Sequence, residues 1–340
     1  MYTILTVIFR MLSIYLGATL TFYALSFCHI NLPHSSFYAR ILASYGTLLA
    51  CASYGVITSI ILRLLGKQNI AQWVTARAFH YTMYYTTGVR FEIVEGKEYL
   101  STRPAVLIAN HQSELDVLML GSVWPRYCSV TAKSSLARTP FLGWFMALSG
   151  TVFIDRADRQ SAVKAFEKAA VHMKKERQSV FIFPEGTRSY ARGPEMGVFK
   201  KGAFHLAVQA GVDVIPVVVA NYAGVLSVSE RRFRGGRIPI KGMLSIPSTL
   251  IPPPSPPNPS LQVAQAIYPI NPSSIYPVLP PIPTTHLKAA DVDDLTKSTR
   301  DLMLKELITL TESPLGQKAT KAEILSPGEE DLAQLATEKR

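Results

Sequence analysis

Apolar residues follow three different rhythms along this chain. Over the first 64 positions they run almost unbroken, and residues 11–28 and 41–62 contain no Asp, Glu, Lys or Arg. Each run is about the length that crosses a hydrocarbon layer, although Ser, Thr, Gly and Tyr dilute both. A cleaved signal peptide fits poorly, because only Arg10 precedes the first run and the second follows at once. The pattern predicts an N-terminal helical hairpin, transmembrane or membrane-embedded, over residues 1–64. Residues 69–87 carry Trp73, Phe79, Tyr81, Tyr84 and Tyr85 among polar positions. That mixture suits a helix at the headgroup level or a core helix equally well.

After Gly88 the rhythm changes to short β-branched runs alternating with polar helical stretches. Strands are expected at 90–94, 105–109, 128–132, 152–154, 180–183 and 214–220, and helices at 114–121, 141–148, 159–176 and 200–210. Such alternation predicts an α/β catalytic domain over 65–241, with a mainly parallel sheet flanked by helices. Ligands of such sheets bind at the loops beyond the strand ends.

A third rhythm begins at Gly242. Residues 242–287 contain no Asp, Glu, Lys or Arg, and 13 of the 23 prolines lie between Pro247 and Pro283. The stretch is too apolar for a solvated linker and too broken by proline for a membrane helix. Two origins fit an insert at 242–276: a retained intron, or a lineage-specific loop lying on the membrane. Either way a long irregular loop outside the chemistry is expected, and the spliced transcript distinguishes the two. Residues 277–312 are expected to close the catalytic domain, with an amphipathic helix at 293–310. Residues 313–340 are expected to form a disordered tail.

Composition sharpens the picture. Hydrophobic residues make up 48% and charged residues 17%, and mean hydropathy is +0.17, which supports a membrane segment. Net charge is +11, and residues 131–241 alone hold 18 Lys/Arg against 8 Asp/Glu. That region should attract phosphorylated molecules or an anionic membrane surface. Nucleic acid is not expected as a partner, since there is no zinc-finger spacing and no aromatic RNA-binding signature. Cys28, Cys51 and Cys128 have neither metal-ligand spacing nor a disulfide framework and read as apolar packing. Arg63, Lys67 and Arg77 follow the second apolar run while Arg40 alone marks the connection, which places the bulk of the chain in the cytosol.

Two motifs fall directly after predicted strands. The first is Asn110-His111-Gln112-Ser113-Glu114-Leu115-Asp116. Ser113 suits a helix N-cap with Asp116 three residues on, as in a capping box. Asp116 can then reach back to the His111 imidazole, fix its tautomer and stabilise its protonated form. The second is Phe183-Pro184-Glu185-Gly186-Thr187-Arg188-Ser189. Gly186 permits a tight turn, and Arg188 suits bidentate capture of phosphate.

Together these motifs resemble the glycerolipid acyltransferase superfamily, and within it the 1-acyl-sn-glycerol-3-phosphate acyltransferase family, fungal members above all. Gly150-Thr151-Val152-Phe153-Ile154-Asp155-Arg156 is similar to the family's second block and Val214-Ile215-Pro216-Val217 to its fourth. Lys133-Ser134-Ser135-Leu136, with Pro140 and Gly143, is similar to the segment between the first two. The resemblance covers residues 65–241 and then 278–312. It implies the glycerolipid acyltransferase fold and transfer of a fatty acyl group from acyl-CoA to the sn-2 hydroxyl of lysophosphatidic acid, giving phosphatidic acid and CoA.

Further expectations follow from the resemblance. His111 acts as general base with Asp116 behind it. Glu185, Gly186, Thr187 and Arg188 bind the acceptor phosphate, assisted by Lys133 and Arg156. Glu185 is an odd neighbour for a phosphate, and Arg188 or backbone N–H groups suit it better as partners. Backbone N–H groups near a helix N-terminus are expected to meet the charge on the thioester carbonyl. The thioester is already activated and the chain lacks the G-x-S-x-G nucleophile turn, so no covalent acyl-enzyme is expected. No metal or cofactor is implied, acyl-CoA being a co-substrate. The expected partners are lysophosphatidic acid, acyl-CoA and the lipid bilayer. The expected location is the endoplasmic reticulum membrane, with lipid droplets as the alternative. Competing readings are another acceptor (glycerol-3-phosphate, lysophosphatidylinositol or lysocardiolipin) and a catalytically dead membrane scaffold, which would need none of His111, Asp116 and Arg188.

Overall fold

Seven strands form one sheet in the order β1 (Val89–Glu95), β9 (Gly236–Gly242), β6 (Asp213–Val219), β2 (Ala105–Ala109), β5 (Ser179–Ile182), β3 (Cys128–Lys133), β4 (Val152–Ile154). This computed structural model describes residues 2–28, 34–242, 282–285 and 287–321. The five strands from β6 to β4 are parallel, β9 runs antiparallel to β6, and β1 pairs parallel with β9. The sheet is therefore mainly parallel, as expected, with a reversed two-strand edge that the alternation of runs did not predict. A short hairpin, β7 (Leu226–Ser227) and β8 (Arg232–Phe233), precedes β9.

Every residue of β2 is apolar because both faces of the sheet are covered. Ala105, Leu107 and Ala109 enter one core with Ile215, Val217 and Val219 of β6. Val106 and Ile108 enter the other with Val214 and Val218. The first core is closed by α2 (Ser35–Leu64), α3 (Ala71–Thr87) and α4 (Asp116–Val123), with α1 (Tyr2–Phe27) outside them. The second is closed by α6 (Arg159–Glu176), α7 (Gly202–Ala210) and a helix at Val292–Glu312. Between β3 and β4 lies α5 (Leu142–Leu148).

Most expected boundaries fall within two residues of the observed ones, and three departures have physical causes. The helix expected from 114 begins at Asp116, because the Ser113 hydroxyl accepts the Leu115 N–H at 3.2 Å and holds a turn there. The strand expected to reach 183 ends at Ile182, because Phe183 leaves the sheet to stack on His111. The expected tail begins instead with a helix, Pro314–Lys321, whose Ala319 is buried in the first core. The remainder of the expected tail, the proline-rich insert from 243 to 276, and residues 277–281 lie outside the described residues. Past the insert, Ile282 bridges Val214, and buried Thr284 donates to the carbonyl of Val212 at 2.7 Å, which ties this segment to the domain.

The apolar N-terminal runs form two long helices, and α1 is apolar on almost every exposed side. At 30 residues α2 is about 45 Å long. The domain does not hang from one end of it. Ser36 donates to the Phe233 carbonyl at 3.2 Å and Arg40 to that of Thr87 at 2.9 Å near its start. Gly55, near its end, faces the Phe145 ring so closely that a Cβ would lie 2.6 Å from it. The inward stripe of Ala39, Cys51, Ala52, Gly55 and Ser59 is small, which permits this approach. Helix α3 satisfies both readings of its aromatics: Phe79 and Met83 are buried, while Tyr81, Tyr84 and Tyr85 are exposed. Arg77 donates to the carbonyls of Gly121 and Trp124 at 3.1 and 3.2 Å, so it caps α4 and is not a free flanking charge.

Candidate active site

The C-terminal ends of the five parallel strands deliver the candidate residues. Reading across the sheet, β6 leads to Tyr222, β2 to His111 and Asp116, β5 to Phe183–Arg188, β3 ends at Lys133, and β4 leads to Arg156.

The loop after β2 is fastened by its own side chains. The Asn110 amide donates to the Val219 carbonyl at 3.0 Å and accepts from the Val219 N–H at 2.9 Å. The Gln112 amide donates to the carbonyls of Val219 and Ala220 at 3.1 and 3.0 Å. This fixes the chain between these residues, and His111 with it.

Asp116 is 1% exposed, and four donors meet it. Its Oδ2 accepts from His111 Nδ1 at 2.7 Å, from Gln112 N at 2.6 Å and from Ser113 N at 3.2 Å. Its Oδ1 accepts from the Tyr222 hydroxyl at 2.7 Å. The Tyr222 oxygen in turn lies 3.0 Å from the Ser113 hydroxyl, which therefore donates to it. Burial, then the adjacent Asp116 charge, pushes the Tyr222 phenol well above its ordinary pKa, so it stays a donor. An ionised carboxylate only accepts, so Nδ1 of His111 carries its proton and Nε2 keeps its lone pair. The ring is flanked by Phe183, with centroids 4.1 Å apart and planes 19° from parallel, and its side chain is 17% exposed.

The turn after β5 is bonded to this loop. The Ser189 N–H donates to the His111 carbonyl at 2.9 Å and the Tyr190 N–H to that of Gln112 at 3.0 Å. Glu185 is 5% exposed. One of its oxygens accepts the His111 N–H at 2.7 Å and the other the Gly197 N–H at 2.8 Å. Burial raises its pKa, while these two N–H groups pull it back. The carboxylate thus faces the protein, which corrects its grouping with the phosphate ligands. Its partners are backbone N–H groups and not Arg188. Gly186 has φ +69°, a left-handed turn that glycine adopts without strain. The Arg156 guanidinium donates to the Gly186 carbonyl. Arg188 pairs with Glu114 at 3.0 Å, and Tyr190 donates to the same carboxylate oxygen at 2.5 Å. Thr187 and Lys133 are exposed at the same end of the sheet.

Oxyanion donors were expected near a helix N-terminus, and at the mouth of α4 four N–H groups are already engaged. The N–H groups of Gln112 and Ser113 are spent on Asp116, that of Leu115 on the Ser113 hydroxyl, and that of Asp116 on the Ser113 carbonyl. Tyr222 was not foreseen as a site residue. It lies 106 positions from Asp116, and its only sequence signal is its place just beyond a predicted strand. Among the described residues, no group of three or more His, Cys, Asp and Glu is placed to hold a metal ion.

Residues 92–220 match the Acyltransferase family. The 1-acyl-sn-glycerol-3-phosphate acyltransferase of Saccharomyces cerevisiae is 48% identical over 200 residues, which cover 59% of this chain and 66% of that enzyme. The chain thus spans just under two thirds of that relative. Human 1-acyl-sn-glycerol-3-phosphate acyltransferase beta is 32% identical over 63% of this chain and 76% of its own. In three dimensions the chain is similar to the crystal structure of the 1-acyl-sn-glycerophosphate acyltransferase of Thermotoga maritima, with a TM-score of 0.51 at 20% identity, covering 86% of this chain and 95% of that one. This last likeness shows the fold, and the sequence relatives carry the lineage: the chain belongs to the 1-acyl-sn-glycerol-3-phosphate acyltransferase family.

Proposed function

We propose that this chain transfers a fatty acyl group from acyl-CoA to the sn-2 hydroxyl of lysophosphatidic acid at a bilayer surface. The observation that carries this reading is the His111–Asp116 pair, bonded at 2.7 Å through Nδ1. It leaves Nε2 as the only ring nitrogen able to take a proton. The acceptor hydroxyl gives that proton to Nε2 as its oxygen attacks the thioester carbonyl. The C–S bond then breaks, and the imidazolium returns the proton to the departing CoA thiolate. Buried Asp116 stabilises the imidazolium in between. The thioester supplies the activation, so the reaction as proposed needs neither metal nor cofactor.

The exposed apolar sides of α1 and α2 support the membrane half of the reading, since contiguous apolar surface of this kind needs a cover. The packing of the domain along α2 supports a reading in which the lysophospholipid is drawn from adjoining lipid. The endoplasmic reticulum, with the catalytic domain on the cytosolic side, is the location we propose. The test is product formation by the purified chain from lysophosphatidic acid and acyl-CoA, beside His111→Ala. The variant should lose about 10²–10⁴-fold in rate with its melting temperature unchanged. A folded His111→Ala protein that works at the wild-type rate overturns the mechanism.

A further inference from the structure

Three cations gather at the turn after β5, and they differ in what already occupies them. Arg188 is engaged by Glu114 at 3.0 Å, with the Tyr190 hydroxyl on the same carboxylate. Arg156 arrives from beyond β4 and donates to the Gly186 carbonyl. Lys200 arrives from the opposite direction, just before α7. Its own N–H is anchored on the Pro184 carbonyl at 2.8 Å. Its side chain then crosses Gly186 so closely that a Cβ on that glycine would lie 2.9 Å from Nζ. The glycine therefore serves twice: it allows the left-handed turn, and its bare Cα leaves room for the ammonium.

Among the described residues, no carboxylate lies within 4.0 Å of Lys200 or of Arg156. Glu185, next to Gly186 in the chain, spends both oxygens on backbone N–H groups. Two cations brought to one peptide group without a counter-charge leave a standing positive potential, which a bound anion would relieve.

We propose that Lys200, together with Arg156, holds a substrate phosphate above Gly186. The inference rests on the acyltransferase reading and adds to it a substrate-binding residue outside the two motifs. Both substrates carry phosphate, as a monoester on the acceptor and as monoester and diphosphate on CoA. Lys200 supplies a charge that is already free, whereas Arg188 must first leave Glu114.

The experiment uses the full chain in neutral phosphatidylcholine vesicles. Lys200→Met, Lys200→Arg and Arg188→Ala are compared with wild type, with KM measured for each substrate and a melting temperature for each variant. Lys200→Met should raise the KM for lysophosphatidic acid about tenfold with kcat within about threefold, and Lys200→Arg should restore most of the loss. A rise confined to acyl-CoA would assign the same subsite to a CoA phosphate. KM values within about twofold of wild type for both substrates overturn the proposal, as does a fall in kcat alone that Lys200→Arg does not rescue. A second readout needs no variant and no turnover: inorganic phosphate should slow modification of Lys200 by an amine-directed reagent in the wild-type protein. If it does not, the subsite is absent. A wild-type protein that fails to acylate lysophosphatidic acid, yet shows this protection, refutes the acceptor assignment and leaves the subsite standing.

Discussion

At the scale of single residues, the site turns on how Asp116 is held. Three N–H donors converge on one oxygen and a phenol on the other, at 1% exposure. Asp116→Asn can keep its oxygen toward the three N–H groups and turn its amide toward the Tyr222 oxygen, so the fold should survive. What it loses is the charge that stabilises a protonated His111, and kcat should fall steeply with both KM values nearly unchanged. Tyr222→Phe makes the opposite cut. It keeps the charge and the ring but removes the hydroxyl and its two buried hydrogen bonds, to Asp116 and from Ser113, and should cost about 1–3 kcal/mol of stability with a smaller loss of kcat. Rates and melting temperatures of the two variants test this division. Equal losses of kcat would mean that the tyrosine hydroxyl, and not the carboxylate charge, governs the imidazole. Half of this arrangement was legible in the sequence, because His111 and Asp116 lie five positions apart in one strand-to-helix junction. Tyr222 and Lys200 were not, since neither sits in a local pattern: the order of β6 beside β2 brings Tyr222 near, and the fold-back of the loop after β5 onto Pro184 brings Lys200.

At the scale of elements, strand boundaries were readable where both faces are buried, as in β2, because an all-apolar run leaves little choice. Element ends were less readable wherever a side chain competes for the backbone, as Ser113 does before α4 and Phe183 does after β5. The two functional loops are joined through Glu185, whose oxygens accept one N–H from each side. That bridge has a consequence for pH. Burial lifts the Glu185 carboxyl above its ordinary value of 4.5, so the folded chain holds this proton more tightly than the unfolded chain does. The stability it contributes is present below the unfolded pKa and is lost as pH rises through the folded one. Glu185→Gln removes the proton and also loses one acceptor, because an amide has a single oxygen. The lost acceptor shifts the variant's melting curve by a constant amount, whereas the proton changes the slope. Wild-type melting temperature minus that of Glu185→Gln should therefore decline as pH rises from about 4 to about 8. Parallel curves would show that Glu185 has the same pKa in both states.

At the scale of the whole molecule, the hairpin packs on the domain through α2, against α3 and the Phe145 ring of α5. Apolar length alone identified α1 and α2, but length does not tell which side of a helix meets protein. The small inward stripe of α2 does, with Gly55 under the Phe145 ring. The outward faces are apolar and exposed, and the proposed function covers them with the bilayer. Leu12, Leu16 and Leu20 on α1 and Ile57 and Ile61 on α2 are all exposed. Replacing these five by Asn withdraws roughly 1 kcal/mol of lipid contact each, because about half of each side chain is available to lipid. The sum corresponds to about three and a half orders of magnitude in partitioning, since each 1.4 kcal/mol is tenfold. The variant should keep its melting temperature in detergent and stop floating with vesicles once detergent is removed. Gly55→Leu should behave in reverse. Its side chain meets the Phe145 ring, so the melting temperature should fall, while whatever fraction is folded still floats. A five-residue variant that floats as well as wild type would mean that these faces are covered by something other than lipid. The site would then have to receive its acceptor by another route than the plane of the bilayer.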